Sequence, residues 1–171
     1  DIYVSGNLGD SYLGLLILKN KLKINNRLKK YFIDQYFMPN IQSKLINQIN
    51  KFANTSIDVS DGLLADLDKM INNQKLSYKL FLEDIPISNN LAKILNLKNL
   101  PKVDYVSNGD DYQILFTASK NKARIIKKIA SNCSVKLTKI GTIWRNIKKS
   151  SIVDNKNVEI TLKNKGYFHR F

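Results

Sequence analysis

Two carboxylates and a hydroxyl lie close together in residues 55–71, TSIDVSDGLLADLDKMI, at spacings that could serve phosphate chemistry. Because side chains alternate along a strand, Asp58 and Ser60 point to one face and the neighbouring apolar residues point to the other. Asp61 and Gly62 then end the strand, and Gly62 allows backbone amides to come close to a bound group. Magnesium is usually held by one or two carboxylates together with phosphate oxygens, so Asp58 and Asp61 could bridge to phosphate through the metal. The segment therefore indicates magnesium nucleotide binding.

A helix is predicted directly after this turn, over residues 63–71. Its apolar residues recur at helical spacing, which places Asp66 and Asp68 on the opposite, polar face. Ser60 or Asp61 can cap its first turn, and the free amides and positive dipole end of such a terminus attract an anion such as phosphate. A strand, a Ser-Asp-Gly turn and a helix are also ordinary turn and capping chemistry, and spacing alone leaves that alternative open.

The rest of the chain mixes strand and helix patterns without strict alternation. The predicted strands are residues 2–4, 57–60, 78–82, 112–117 and 135–144, the last with Gly141 as a bulge or a close approach. The strand at 112–117 is the most apolar one in the second half of the chain and is expected to be central. The predicted helices begin after Asp10 and after Ser88, each of which can cap the helix that follows it, and also within 19–36, at 41–53 and at 120–131. A hairpin is predicted over 151–162. This mixture favours an α/β (α+β) fold in which a mixed β-sheet is packed with helices.

The whole chain of 171 residues is long enough for one domain with a substantial core. It begins with Asp1 in what reads as the middle of a strand, so we expect a preceding segment to have been removed or to be encoded separately. The single cysteine, Cys133, permits no internal disulfide. Neither a signal-type apolar run nor a transmembrane stretch is present, so we expect a cytoplasmic protein with no membrane partner.

The chain is strongly basic, with a formal net charge of +14 from 28 lysines and arginines against 14 acids. Such a charge favours polyanions, including nucleic acid. The basic residues are spread over residues 19–30, 120–128 and 136–149, and no recognisable groove-reading or single-strand motif accompanies them. A lysine-rich composition accounts for the charge equally well, so nucleic-acid binding is the weaker hypothesis.

Five segments stand in a recognisable order along nearly the whole chain. They are VSGNLGDSYLGL at residues 4–15, the segment at Pro39, SIDVSDGLLADL at 56–67, GDDYQILF at 109–116 and KIGTI at 139–143. Together they resemble the C-terminal domain of thiamine-monophosphate kinase, a member of the aminoimidazole ribonucleotide synthetase superfamily. The Asp-x-Ser-Asp-Gly-Leu pattern of residues 58–63 is the most specific part of this resemblance.

The resemblance implies an activity and a set of site residues. In that family ATP donates its terminal phosphate to thiamine monophosphate, giving thiamine diphosphate directly, with Mg²⁺ ions spanning the phosphates. By position, Asp58 and Asp61 would be magnesium ligands and Ser60 an ATP contact. Asp110 would contact the substrate and Tyr167 would stack against it. No residue of this chain is assigned a catalytic role, and His169 is expected to be a packing or surface residue.

The chain departs from the family pattern at several of these positions. Where the family has Gly-Glu-Asp-Tyr-Glu-Leu, residues 109–114 read Gly-Asp-Asp-Tyr-Gln-Ile, so Asp110 is one carbon shorter than the family's acid and Gln113 is neutral. Spacing alone also allows Asp110 and Asp111 to be a solvated turn before a strand. Ile41 and Gln42 stand in place of the family's second proline and arginine after Pro39, so no function is assigned to that segment.

In the family a preceding N-terminal domain supplies further magnesium-binding acids, nucleotide contacts and most of the dimer interface. None of it is in this sequence, so residues 1–171 are expected to be a single C-terminal domain that is inactive alone and forms the family's homodimer only with that domain. Two alternatives stay open. One is a superfamily member acting on another small substrate with ATP, and the other is a non-catalytic basic domain that binds nucleic acid or a partner.

Overall fold

A computed structural model of the chain describes residues 1–72, 74–145 and 149–161. Tyr167 and His169 lie outside the described residues. Within those ranges, no helix has both the length and the apolar character needed to cross a membrane.

One six-stranded sheet forms the centre of the fold, with the strand order β2-β4-β1-β5-β3-β6. The strands are β1 Ile2–Ser5, β2 Thr55–Asp58, β3 Leu76–Phe81, β4 Ile114–Thr117, β5 Leu137–Arg145 and β6 Ser151–Val153. All neighbours pair antiparallel except β3 and β6, which are parallel. The predicted mixed sheet is therefore confirmed, and β4, the most apolar strand of the second half, is an inner strand as expected.

Helices cover the sheet and extend beyond it. They are α1 Asp10–Leu18, α2 Asn26–Phe37, α3 Ser43–Ile46, α4 Leu63–Ile71, α5 Asn89–Lys98, α6 Lys102–Val106 and α7 Ala123–Cys133. Ser88 caps α5 as predicted, because its side chain accepts a hydrogen bond from the amide of Leu91 at 3.0 Å.

The hydrophobic core divides into clusters because consecutive strand residues face opposite sides of the sheet. Ile2 and Val4 of β1 pack with α4, whereas Tyr3 between them packs with α3, α7 and Phe116 of β4. The rings of Tyr3 and Phe116 stack with centroids 5.2 Å apart. A third cluster joins α1, α2, α5 and α6. Apolar packing on both sheet faces explains why the inner strands lack a simple alternation of polar and apolar residues.

Gly141 provides both of the features predicted for it. Its neighbour Ile140 is skipped in the pairing of β1 with β5, since Ile2 faces Gly141 while Tyr3 faces Lys139. A Cβ at Gly141 would lie 2.3 Å from the carbonyl oxygen of Lys79 on β3. The strand is thus bulged on one side and in close contact on the other.

The continuous helix predicted over residues 41–53 is wrong. Only the four-residue α3 and a separate 3₁₀ turn, Ile49–Lys51, form there. Leu45 and Phe52 are buried at the two ends of this interruption, but Ile41 and Ile46 are 60% and 53% exposed. Ile49 and Ala53 still pack with Leu45 and Phe52 in one cluster. The apolar spacing therefore indicates which side of the segment is buried, but not that α3 ends at Ile46.

Candidate functional site

The sequence-predicted site residues lie where the pairing of β2 with β4 continues into loops. The amide of Val59 donates to the carbonyl of Gln113 at 2.8 Å, and the amide of Tyr112 donates to the carbonyl of Val59 at 2.9 Å. One residue further, the amide of Asp110 donates to the carbonyl of Ser60 at 2.9 Å. These bonds bring the Ser60 and Asp110 segments together, although the residues are far apart in the sequence.

Two glycines allow these loops to touch backbone to backbone. A Cβ at Gly109 would lie 1.9 Å from the carbonyl oxygen of Ser60, and a Cβ at Gly62 would lie 2.1 Å from that of Ser107. Gly62 also has a φ of +122°, which side-chain-bearing residues rarely adopt. The Asp-Gly and Gly-Asp-Asp sequences are therefore the two halves of one loop contact.

Asp66 is predicted to lie on the polar face of α4, opposite the apolar residues. In the structure its side chain is fully buried, at 0% exposure. Its Oδ2 accepts hydrogen bonds from the amides of Ser60, Asp61 and Gly62 at 2.9, 2.9 and 3.1 Å. The prediction that Ser60 or Asp61 caps α4 is also wrong, since Gly62 occupies the N-cap position and no side chain caps it. The amides of this turn thus already hold a carboxylate rather than being free for phosphate.

Lys69 is a functional-site candidate that the sequence reasoning missed. Its ammonium pairs with the carboxylate of Asp61 and with Oδ1 of Asp66, the latter at 2.9 Å. These hydrogen bonds raise the pKa of Lys69 above its usual value. Lys69 lies three residues after Asp66 on α4, and this i,i+3 spacing of acid and base on a helix is the signal that could have indicated it.

Asp110 lies within electrostatic reach of Asp61. Partial burial raises the pKa of Asp110, the negative charge of Asp61 raises it further, and Lys19 opposes the shift. Asp110 and Tyr112 both adopt positive φ values, 68° and 50°, which are uncommon for residues other than glycine. Such conformations are concentrated at functional sites, because only well-supported loops maintain them.

Asp58, the other predicted magnesium ligand, is exposed at the end of β2, where it pairs in register with Ile114. The available donors fit magnesium by type, since Asp58 at the end of β2 and Asp61 and Asp110 on the two adjoining loops offer carboxylate oxygens. They do not complete a site, because no group of three or more acids, histidines or cysteines in the described ranges is placed to hold a metal. Phosphate oxygens and additional protein ligands would have to supply the rest.

Asp111 does not belong to a solvated turn, because it is only 4% exposed. Its carboxylate accepts the amides of Gly9 at 2.7 Å and Ser11 at 3.4 Å, at the start of α1. Burial raises the pKa of Asp111 to about 8. Asp10, expected from its position to cap α1, instead accepts hydrogen bonds from Ser88 and Tyr31 at 2.7 and 2.8 Å.

Gln113, which stands where the family has glutamate, is also buried. Its Oε1 accepts a hydrogen bond from the Ser5 hydroxyl at 2.8 Å, and its Nε2 donates to the carbonyl of Asn40 at 3.0 Å. Gln113, Asp10 and Asp111 line a polar cavity of about 330 Å³ between α1 and the Pro39 segment. The neutral amide of Gln113 thus ties β1 to the Pro39 segment.

Relatives with similar sequences match the chain over about half of their own length. Thiamine-monophosphate kinase from Buchnera aphidicola subsp. Acyrthosiphon pisum (strain APS) is 35% identical over 170 residues, covering 98% of this chain and 52% of the relative. The enzyme of that name from Aquifex aeolicus (strain VF5) is 30% identical over 159 residues, covering 92% and 49%. The chain spans about half the length of the curated relatives it matches. No model of a known protein family matches the chain.

Solved structures show the same correspondence. The crystal structure of thiamine-monophosphate kinase from Stenotrophomonas maltophilia K279a has a TM-score of 0.76 and 27% identity, covering 91% of this chain and 49% of that one. AaThiL complexed with AMPPCP and TMP has a TM-score of 0.74 and 25% identity, covering 98% and 50%. Escherichia coli HypE, at 16% identity and a TM-score of 0.70, shares the fold. The chain is therefore a homologue of the thiamine-monophosphate kinases that corresponds to about half of their length.

Proposed function

We propose that the chain is the C-terminal domain, residues 1–171, of an enzyme that transfers the terminal phosphate of ATP to thiamine monophosphate. The observation that carries this proposal is the loop contact that brings Ser60 and Asp61 beside Asp110. A cation bound at Asp61 would offset the repulsion between the Asp61 and Asp110 carboxylates. The similarity to AaThiL complexed with AMPPCP and TMP supports the choice of substrates.

Asp58 and Asp61 are proposed to hold Mg²⁺, Ser60 to contact ATP, and Asp110 and Tyr167 to contact thiamine monophosphate. Bound magnesium would neutralise charge on the transferred phosphate. The acceptor is itself a phosphate group, whose second pKa lies near 6, so at neutral pH the attacking oxygen is already ionised. The chain therefore needs no general base, and its residues act by positioning donor and acceptor.

The relatives are about twice as long as the chain, and we propose that the other half of the enzyme supplies the remaining metal and nucleotide ligands. Phosphoryl transfer depends on holding donor and acceptor in line, so half of the site should give almost no turnover. We accordingly propose that this chain alone is inactive and does not form the family's homodimer.

The test measures ATP-dependent formation of thiamine diphosphate by the chain alone and by the chain joined to the N-terminal half of the Buchnera relative. We expect no rate from the chain alone and a measurable rate from the joined protein. Steady turnover by the chain alone would contradict the half-site proposal. Sedimentation of the chain alone should give a monomer.

The metal assignment is tested in the joined protein with Asp58→Asn and Asp61→Asn. Each change keeps the size of the side chain but removes one negative charge, so more Mg²⁺ should be needed for half-maximal turnover. Asp84→Asn is a matched control, because Asp84 follows β3, four strands from β2 and roughly 19 Å across the sheet. Normal turnover of both site variants at limiting Mg²⁺ would show that these acids are turn residues only.

A further inference from the structure

One carboxylate oxygen organises the turn that carries the proposed nucleotide and metal contacts. Oδ2 of Asp66 accepts the consecutive amides of Ser60, Asp61 and Gly62 at 2.9 to 3.1 Å. Asp66 is 0% exposed, so it touches no solvent and has no direct access to a ligand. A buried carboxylate is tolerated only when its oxygens are satisfied, and here the turn satisfies one of them.

The second oxygen of Asp66 is also used. Its Oδ1 accepts a hydrogen bond from Lys69 at 2.9 Å, and the same ammonium contacts the carboxylate of Asp61. Asp66 therefore fixes the backbone of Asp61 through one oxygen and the cation beside the Asp61 side chain through the other. Both the direction and the electrostatic surroundings of Asp61 depend on this buried group.

We propose that Asp66 is a positioning residue that fixes the Ser60–Gly62 turn by accepting hydrogen bonds from its three amides. Because these amides are already bonded, phosphate is recognised through the metal and not by the backbone. A turn of three free amides before a helix would bind a bare phosphate directly. The carboxylate of Asp66 takes the place that such a phosphate would fill. Asp61 is left as the group through which the turn engages the ligand, which makes binding dependent on Mg²⁺. This inference rests on the proposed function.

The first measurement does not require magnesium or turnover. Amide exchange of the chain is followed by NMR in the wild type, in Asp66→Ala and in the nearly isosteric Asp66→Asn. We expect the amides of residues 60–62 to be protected in the wild type and to exchange much faster in Asp66→Ala. In Asp66→Asn they should exchange faster to a smaller degree, because the amide oxygen can replace Oδ2 while the amino group cannot accept the hydrogen bond from Lys69. Asp68→Asn is the matched control on the same helix, because Asp68 accepts a hydrogen bond from the Tyr78 hydroxyl at 2.9 Å and an amide oxygen can replace it.

The second measurement titrates the same proteins with inorganic phosphate and separately with Mg²⁺, observing the amide resonances of the turn. Phosphate alone should leave the wild-type turn unchanged and should shift the 60–62 amides in Asp66→Ala, whose amides are free. Magnesium affinity should fall about tenfold to a hundredfold in Asp66→Ala, which is the usual effect of removing a residue that orients a metal ligand. Asp68→Asn should match the wild type in both titrations.

The outcomes separate this proposal from the proposed function. If Asp66→Ala and Asp66→Asn lower the melting temperature but leave turn protection and Mg²⁺ affinity unchanged, Asp66 is only structural and the proposal is overturned. If Asp66→Ala does not fold, Asp66→Asn alone decides the point by the same readouts. If the wild-type turn shows protected amides but Asp61→Asn does not alter Mg²⁺ binding, the proposed metal assignment fails while the shaping of the turn by Asp66 stands.

Discussion

The contact between the two loops predicts a large effect from one methyl group. In Gly109→Ala the new Cβ would lie 1.9 Å from the carbonyl oxygen of Ser60 and 2.6 Å from its carbonyl carbon. Gly109 does not have a positive φ, so the penalty is steric and not conformational. Since both colliding atoms belong to backbone, no rotamer change relieves the overlap, and the loops must separate by roughly 1 Å.

The magnitude follows from the contacts that are lost. Overpacking costs about 1–3 kcal/mol, and separating the loops also breaks the hydrogen bond from the Asp110 amide to Ser60, worth about 1 kcal/mol. The variant should therefore be about 2–4 kcal/mol less stable. For a domain of this size that corresponds to a decrease in melting temperature of about 5–15 °C.

Thermal unfolding followed by circular dichroism measures this decrease directly. Ser60→Ala is the matched control, because it leaves the carbonyl of residue 60 in place and removes only a hydroxyl, so it should cost no more than about 1 kcal/mol. If Gly109→Ala unfolds at the wild-type temperature, the two loops are not constrained by their contact. Their contact would then not be what places Asp110 beside Asp61.

Three further predictions concern charge. Because burial raises the pKa of Asp111 to about 8, the folded state binds its proton more tightly than the unfolded chain does, and this group should lower the unfolding free energy progressively from about pH 4 to pH 8. Urea unfolding at pH 5 and at pH 8 measures this decline, and the difference in unfolding free energy between the two pH values should be smaller in Asp111→Asn than in the wild type. An equal difference in the two proteins would contradict the assignment. Lys69→Gln should tighten Mg²⁺ binding by up to about fivefold, because the Lys69 ammonium competes with the metal for the Asp61 carboxylate. Calorimetric titration with Mg²⁺ measures this, and weaker binding by the variant would show that Lys69 does not compete. The net charge of +14 should give only weak nucleic-acid binding that disappears as salt rises, and a tight, sequence-selective complex in gel-shift assays at physiological salt would favour the basic-domain alternative.

Local patterns predicted much of the fold because their physical causes are local. Alternation along β2, the apolar repeat of α4 and the hydroxyl of Ser88 before α5 each act within a few residues. Gly141 was also identified, since a glycine within an apolar strand commonly marks a bulge or a place where another backbone comes close. The predicted helix over 41–53 is wrong because a short helix and a separate 3₁₀ turn can bury the same apolar side of a segment that one continuous helix would bury.

The site was predicted less completely, for a different physical reason. Helical periodicity assigns Asp66 to a polar face, but it does not show that the preceding turn folds back over that face and buries it. The burial of Asp111 likewise depends on α1, about a hundred residues earlier in the chain. The sequence does not show that Asp61 and Asp110 lie close together, because contacts between distant loops leave no periodic signal.

The position of β2 at the margin of the sheet has a consequence for self-association. The outer side of this strand has no partner strand in the described ranges, and Thr55, Ser56 and Asp58 are exposed there. Open edges invite pairing with other chains, but a four-residue edge made of polar side chains and a carboxylate is a poor template for it. A second chain pairing along this edge would have to take the Asp58 charge into the contact, and charged side chains are one of the features that discourage edge pairing. The same carboxylate proposed to bind metal therefore also helps to keep the chain from adding strands to itself.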